Sequence, residues 1–169
     1  AARNASHPWM PVHYLHDPSR PGHHIRCPCH HHNSARAFFK GYGGFPASAC
    51  VSVNEVIVHG IPSKSKKLRE GDIVSVDAGA IYQGWYSDMA RTYAVGEISP
   101  EAAKLVRVTE ESFFEGLKYC VAGNYLSDVS HAIQVHLESN GFGVIRDYVG
   151  HGLGREMHEQ PPVPNYGRP

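Results

Sequence analysis

Hydrophobic and polar positions alternate most clearly in "IVSVDAGAIY" and "WYSDMARTYAV", residues 73–82 and 85–95. A period of two over that length predicts two β-strands, with Gln83-Gly84 as a two-residue hairpin turn. "ACVSVNEVIVHGIP" reads as strand, turn, strand: 49–53, a turn at Asn54-Glu55, then Val56-Ile57-Val58. "IPSKSKKLREGD" is a polar loop. Ser99-Pro100-Glu101 predicts a helix start, with a capping hydroxyl, proline in the first turn and then an acid. This helix runs to about Tyr119, with Leu105, Val108, Ser112 and Leu117 along one side. A second helix opens at Ser127 and closes at Gly141. "GVIRDYV" predicts a further strand, followed by "GHGLG" and the proline-rich "EQPPVPNYGRP".

Residues 1–36 show no period of either kind, and Pro8, Pro11, Pro18, Pro21 and Pro28 interrupt any long helix. An irregular arm is expected over residues 1–37, ahead of a globular domain over 38–169. Its "CPCHHH" invites a zinc reading, but Cys27 and Cys29 are one residue apart, whereas structural zinc sites mostly use a spacing of two to four. A solvated His-rich arm is the expectation there.

Paired strands place two acids together. With Gln83-Gly84 as the turn, Tyr82 faces Trp85, Gly79 faces Asp88 and Asp77 faces Ala90. Asp77 and Asp88 then share one face of the sheet as diagonal neighbours, roughly 7–8 Å apart at the backbone. A turn longer by one residue would instead send one of them to solvent. Two adjacent carboxylates repel unless they share a proton or a cation sits between them. His151, with glycine on both sides in "GHGLG", favours a cation, since neutral imidazole ligates Zn, Co, Mn or Fe. His59 in "VHGIP" and His158 in "EMHEQ" are further candidates.

Lys plus Arg equals Asp plus Glu at 16 each, which argues against a broad nucleic-acid or membrane-surface role. No apolar run reaches the ~18 residues of a spanning helix. The four cysteines form no framework spacing, so free thiols and a cytoplasmic setting are expected.

Three stretches, "GYGGFPASACVSVNEVIVHGIP", "VDAGAIYQGWYSDMARTYAVG" and "GHGLGREMHEQPPVPNYG", together resemble type I methionine aminopeptidase. The resemblance covers residues 39–167. It implies an α+β pita-bread fold whose first half is complete here and whose second half is truncated. It also implies metal-dependent removal of the initiator methionine from nascent polypeptides, at the ribosome, with two divalent ions (Co, Mn, Fe or Zn). On this resemblance Asp77, Asp88 and His151 are metal ligands. His59 contacts the substrate near its amino terminus, and His158 hydrogen-bonds the scissile carbonyl or the tetrahedral intermediate. Tyr42, Phe45, Cys50 and Met157 line a methionine pocket. The family's two remaining ligands are glutamates further along; Glu156 and Glu159 do not match them, so catalysis by this chain is expected to be impaired. Residues 1–37 do not resemble the family, which suggests an altered reading frame at that end. Two other readings stand beside this one: a non-catalytic peptide- or protein-binding pita-bread module, and a creatine- or proline-specific relative.

Overall fold

The structure is a computed structural model that describes residues 35–169. The zinc reading at Cys27 and Cys29 therefore lies outside the described residues.

Among the described residues, six strands and two α-helices follow in the order β1 (Arg36–Ala37), β2 (Ala49–Val53), β3 (Ile73–Tyr82), β4 (Trp85–Ala94), α1 (Pro100–Leu117), α2 (Leu126–Ser139), β5 (Gly150–Gly152) and β6 (Glu159–Val163), with one 3-10 turn at Tyr42–Gly44. Strand β3 is the centre of a four-stranded antiparallel sheet. β4 pairs along one edge, while β2 and β1 share the other in succession. β5 and β6 form a separate antiparallel pair.

The β3–β4 hairpin has the register that its turn dictates. Gln83 and Gly84 have φ of 51° and 77°. Positive φ at both central residues is the signature of the turn type whose twist matches paired strands. Tyr82 accordingly faces Trp85, Gly79 faces Asp88 and Asp77 faces Ala90. Gly79 serves a packing need. A Cβ there would lie 1.8 Å from Phe38 Cε1 and 2.6 Å from the Ser87 carbonyl oxygen. The bare position lets Phe38 lie across the sheet, where it joins Phe39, Cys50 and Met157 in the buried core.

Both helices end on local signals. The Ser99 hydroxyl accepts from Ala102 N at 3.1 Å and caps α1. At the end of α2, Gly141 adopts φ 86°, Gly141 N donates to Glu138 O and Phe142 N to Leu137 O, at 3.0 Å each. This double bond pattern closes a helix on a left-handed glycine. α2 begins at Leu126, one residue before the expected Ser127, because the Asp128 carboxylate accepts from Tyr125 N at 2.8 Å.

Four expectations need correction. Val56–Val58 is not a strand: Val56 N bonds back to Val53 O, and the chain returns to β2 at Gly60, whose O accepts from Val51 N at 2.8 Å and whose N donates to Ser52 Oγ at 3.1 Å. Residues 143–149 are likewise irregular, and pairing begins only at Gly150. The buried seam of α1 is Val108, Ser112 and Gly116, whereas Leu105 and Leu117 are exposed. Small residues define this seam because α2 approaches closely: a Cβ on Gly116 would meet Ile133 at 2.8 Å. Lastly, the arm expected to be irregular through residue 37 ends in β1, where Arg36 and Ala37 pair with Ile81 and Ala80. Cys50 and Cys120 are free thiols, as expected, although Cys120 is exposed.

The two close-packed glycines should respond differently to substitution. Gly79→Ala should cost about 2–3 kcal/mol in chemical denaturation, because the clash includes backbone that cannot yield. Gly116→Ala should stay within about 1 kcal/mol of the parent, since helix propensity gains nearly as much as crowding Ile133 loses. Equal losses at both positions would contradict this packing.

Candidate active site

The acids sit on the face of the sheet that also carries Cys50 and Tyr86. Cys50 is directly opposite Asp77 across β2–β3 and is only 2% exposed. Two positions along, the Ser75 and Thr92 hydroxyls bond each other at 2.7 Å. Asp77 is thus flanked by an apolar thiol and by hydroxyls already paired. Its Oδ1 is buried and has no hydrogen-bond partner among the described residues. Burial pushes the Asp77 carboxyl up to about 6, the Asp88 charge adds to the rise, and His151 opposes it. The Cys50 thiol is also raised, first by burial and then by the two aspartates. A buried carboxylate oxygen without a donor is costly unless a cation or proton meets it.

A second hairpin reaches this face. Tyr86 N donates to Gly154 O at 2.8 Å, and the Arg155 guanidinium stacks on Trp85 at 4.2 Å. These contacts seat the loop between β5 and β6 on the start of β4. Met157 then enters the buried cluster with Phe38, Phe39 and Cys50, with Phe45 partly buried against it. Three of the four expected pocket residues, Phe45, Cys50 and Met157, are thereby brought together. Phe38 and Phe39 complete the cluster. Sequence reasoning missed them, although the adjacent aromatic pair ahead of "GYGGF" was a usable signal.

Two imidazoles lie side by side, with His151 and His158 ring centroids 4.2 Å apart. His151 Nδ1 is 2.8 Å from Gly152 O. A carbonyl only accepts, so Nδ1 carries the proton and Nε2 keeps its lone pair, as a ligand requires. Tyr42, the fourth expected pocket residue, is exposed, and its hydroxyl lies 3.1 Å from His158 Nδ1. His59 stands apart from these groups. It is exposed, holds φ 57° and meets the edge of Tyr148 at 6.2 Å. A non-glycine residue in that conformation stores strain that surrounding structure must hold, here Gly60 bonded to β2 on both sides.

The ligand set is only partly assembled. Among the described residues, no three His, Cys, Asp or Glu side chains are close enough to hold an ion. Asp77 and Asp88 stand together, with His151 near enough to act on the Asp77 carboxyl. The aspartate pair nonetheless fits a divalent cation: one oxygen is buried and orphaned, and a second carboxylate stands beside it. No helix among the described residues is long and apolar enough to cross a membrane.

The chain is 66% identical to a methionine aminopeptidase of Clostridium acetobutylicum over 131 residues, which is 78% of this chain and 52% of that protein. It is 53% identical to methionine aminopeptidase 1 of Bacillus subtilis, over 78% of this chain and 52% of that one. The crystal structure of methionine aminopeptidase from Thermotoga maritima superposes with a TM-score of 0.78 at 58% identity, covering 80% of this chain and 54% of that one. An X-Pro aminopeptidase of the same organism is more distant, with TM-score 0.60 at 26% identity, over 70% of this chain and 34% of that one. The shared architecture is the pita-bread α+β fold. The chain spans about half the length of the curated relatives it matches. A family model for metallopeptidases matches residues 22–169, reaching back ahead of Phe39 into the His/Pro-rich arm. With both hairpins, the paired acids and the flanking histidines in place, the chain belongs to metallopeptidase family M24.

Proposed function

We propose that this chain supplies the Asp77–Asp88 metal site and the histidine loop of a methionine aminopeptidase, acting on the initiator methionine of nascent polypeptides. The observation that carries this is the buried Oδ1 of Asp77, without a partner among the described residues, beside Asp88 in a register fixed by the hairpin turn. The relatives named above as methionine aminopeptidases support the substrate. The proline-specific relative is the weaker reading, since identity falls to 26% there.

Asp77 and Asp88 would be the first holders of a divalent ion, with His151 Nε2 as the next donor. A bound divalent ion supplies the positive charge that lets both carboxylates ionise, and it activates water for attack on the peptide. In this reading the pair takes two ions of the Co, Mn, Fe or Zn type. The cluster of Phe45, Cys50 and Met157 presents an apolar, polarisable wall suited to a thioether. Tyr42 borders it. His59 would meet the substrate near its amino terminus. His158 would donate to the scissile carbonyl oxygen as negative charge develops, a contribution of a few kcal/mol.

One alternative stands beside this reading, a module that binds peptide without cutting it. Calorimetry and peptide cleavage separate the two. The parent chain should bind Mn or Co, and release of methionine from a Met-Ala-Ser peptide, lost in Asp88→Asn, supports the aminopeptidase. Asp88→Asn should weaken metal binding at least ~100-fold, beyond the usual loss from an outer-shell change. Peptide binding without release supports the module, and undiminished metal binding by Asp88→Asn rejects the site.

The raised carboxyl of Asp77 gives a further test on the metal-free chain. A folded pKa near 6 against an unfolded 3.8 means the folded state holds the proton more tightly. Stability from this group is complete below pH ~4 and is lost as pH rises through ~6. Complete burial would make this ~3 kcal/mol; with the site half open to solvent, roughly 1–2 kcal/mol is expected. Asp77→Asn should flatten that fall in urea titrations across the window, and saturating Mn should also offset it in the parent. A fall of the same size in Asp77→Asn would assign it to another group.

A further inference from the structure

We propose that Tyr42 is a positioning residue that fixes the tautomer of His158, so that the two adjacent histidines present opposite faces to the site. The inference deepens the reading above and rests on it for the role of His158.

The backbone fixes the base of Tyr42. Gly41, Gly43 and Gly44 have φ of 89°, 54° and 83°. Such values are open to glycine and strained for other residues. They fold "GYGGF" into a tight turn in which Tyr42 N donates to Phe39 O at 3.0 Å, Phe45 N to Tyr42 O at 2.9 Å and Gly41 N to Phe45 O at 2.8 Å. The phenol is thus anchored at its backbone although its ring is exposed. Its hydroxyl reaches His158 Nδ1 at 3.1 Å across the fold, and no other partner for it occurs among the described residues.

Chemistry gives the bond its direction. A neutral imidazole offers one N–H and one lone pair. A phenol is a better donor than acceptor, because its oxygen lone pair is delocalised into the ring. If Tyr42 donates to Nδ1, the proton of His158 resides on Nε2. His151 is set the other way, because Nδ1–H donates to Gly152 O and Nε2 is bare. Two rings 4.2 Å apart therefore divide the work. One offers a lone pair to a cation and the other an N–H to an oxygen developing negative charge. Without the hydroxyl, His158 would sample both tautomers. In one of them it would bring a second lone pair to the cation and no donor to the substrate.

The test is nuclear magnetic resonance of the metal-free chain with ¹⁵N-labelled histidine, above the pH at which imidazoles titrate, with His158 assigned from its loss in His158→Gln. We expect one tautomer for His158, with Nε2 protonated, and the opposite one for His151. Tyr42→Phe should turn the His158 pattern into a mixture and leave His151 unchanged. A His158 protonated at Nδ1 in the parent overturns the proposal, as does an unchanged pattern in Tyr42→Phe. Should that variant not fold, replacement of tyrosine by 3-fluorotyrosine makes a stronger donor and must move the His158 Nδ1 resonance; no movement refutes the assignment. Adding Mn afterwards broadens the His151 resonances only if the metal reading holds, so failure of that reading is seen separately.

Discussion

The register of one hairpin governs this site. Side chains on a strand alternate between faces, so a slip of one residue between β3 and β4 would carry one aspartate to the opposite side. Gln83 and Gly84, both at positive φ, leave no slack for such a slip. Gly79 reinforces the register from within, because Phe38 occupies the space its side chain would need. Any other residue brought to that position would meet an aromatic ring. Turn and core thus specify the same pairing independently, and the carboxylates inherit it.

The second hairpin is placed by the first. A single backbone bond from Tyr86 to Gly154, one residue pair inward from the β3–β4 turn, docks the loop that carries Met157 and His158. Met157 is drawn into the cluster around Phe38 and Cys50. The apolar wall and the imidazole pair are therefore held by the strands that carry the acids. Gly154 is buried against the Glu159 carboxylate, whose Oε1 accepts from Glu156 N at 2.8 Å. This acid closes the loop on itself, a structural use consistent with its failure to match a ligand position.

What could be read from the sequence was whatever local chemistry decides. The two-residue turn, the Ser99 cap and the Gly141 stop each depend on a few neighbouring residues, and each is found where the residues put it. The aspartate pairing followed from the turn by counting. The failures share a different cause. Val56–Val58 and residues 143–149 have the composition of strands, but a strand exists only where a partner offers its backbone. Strand β6, in contrast, contains Pro161 and Pro162, which composition alone would exclude, and is tolerated as a short pair at an edge. The helix seam failed because packing distance, not hydrophobicity, selected Gly116. Among the candidate site residues, the acids were legible from strand period. The contact between Tyr42 and His158 joins positions 116 apart and had no local trace.

The environment of Asp77 also bears on why a cation should bind here at all. A carboxylate in an open, hydrated position gains little by exchanging water for a metal. One oxygen of Asp77 is already shut off from water, and no donor among the described residues takes its place. The nearby hydroxyls of Ser75 and Thr92 satisfy each other, and the opposing thiol of Cys50 is itself driven toward its neutral form. Folding of the apolar core around Phe38 and Met157 thus raises the free energy of the metal-free site. In the proposed reading Asp77 and Asp88 would hold a divalent ion, whose charge would offset their repulsion and meet the orphaned oxygen. If the proposed site holds a cation, part of the binding free energy would be set in advance by core packing, and core substitutions distant from the acids should be felt in metal affinity through the desolvation of Asp77.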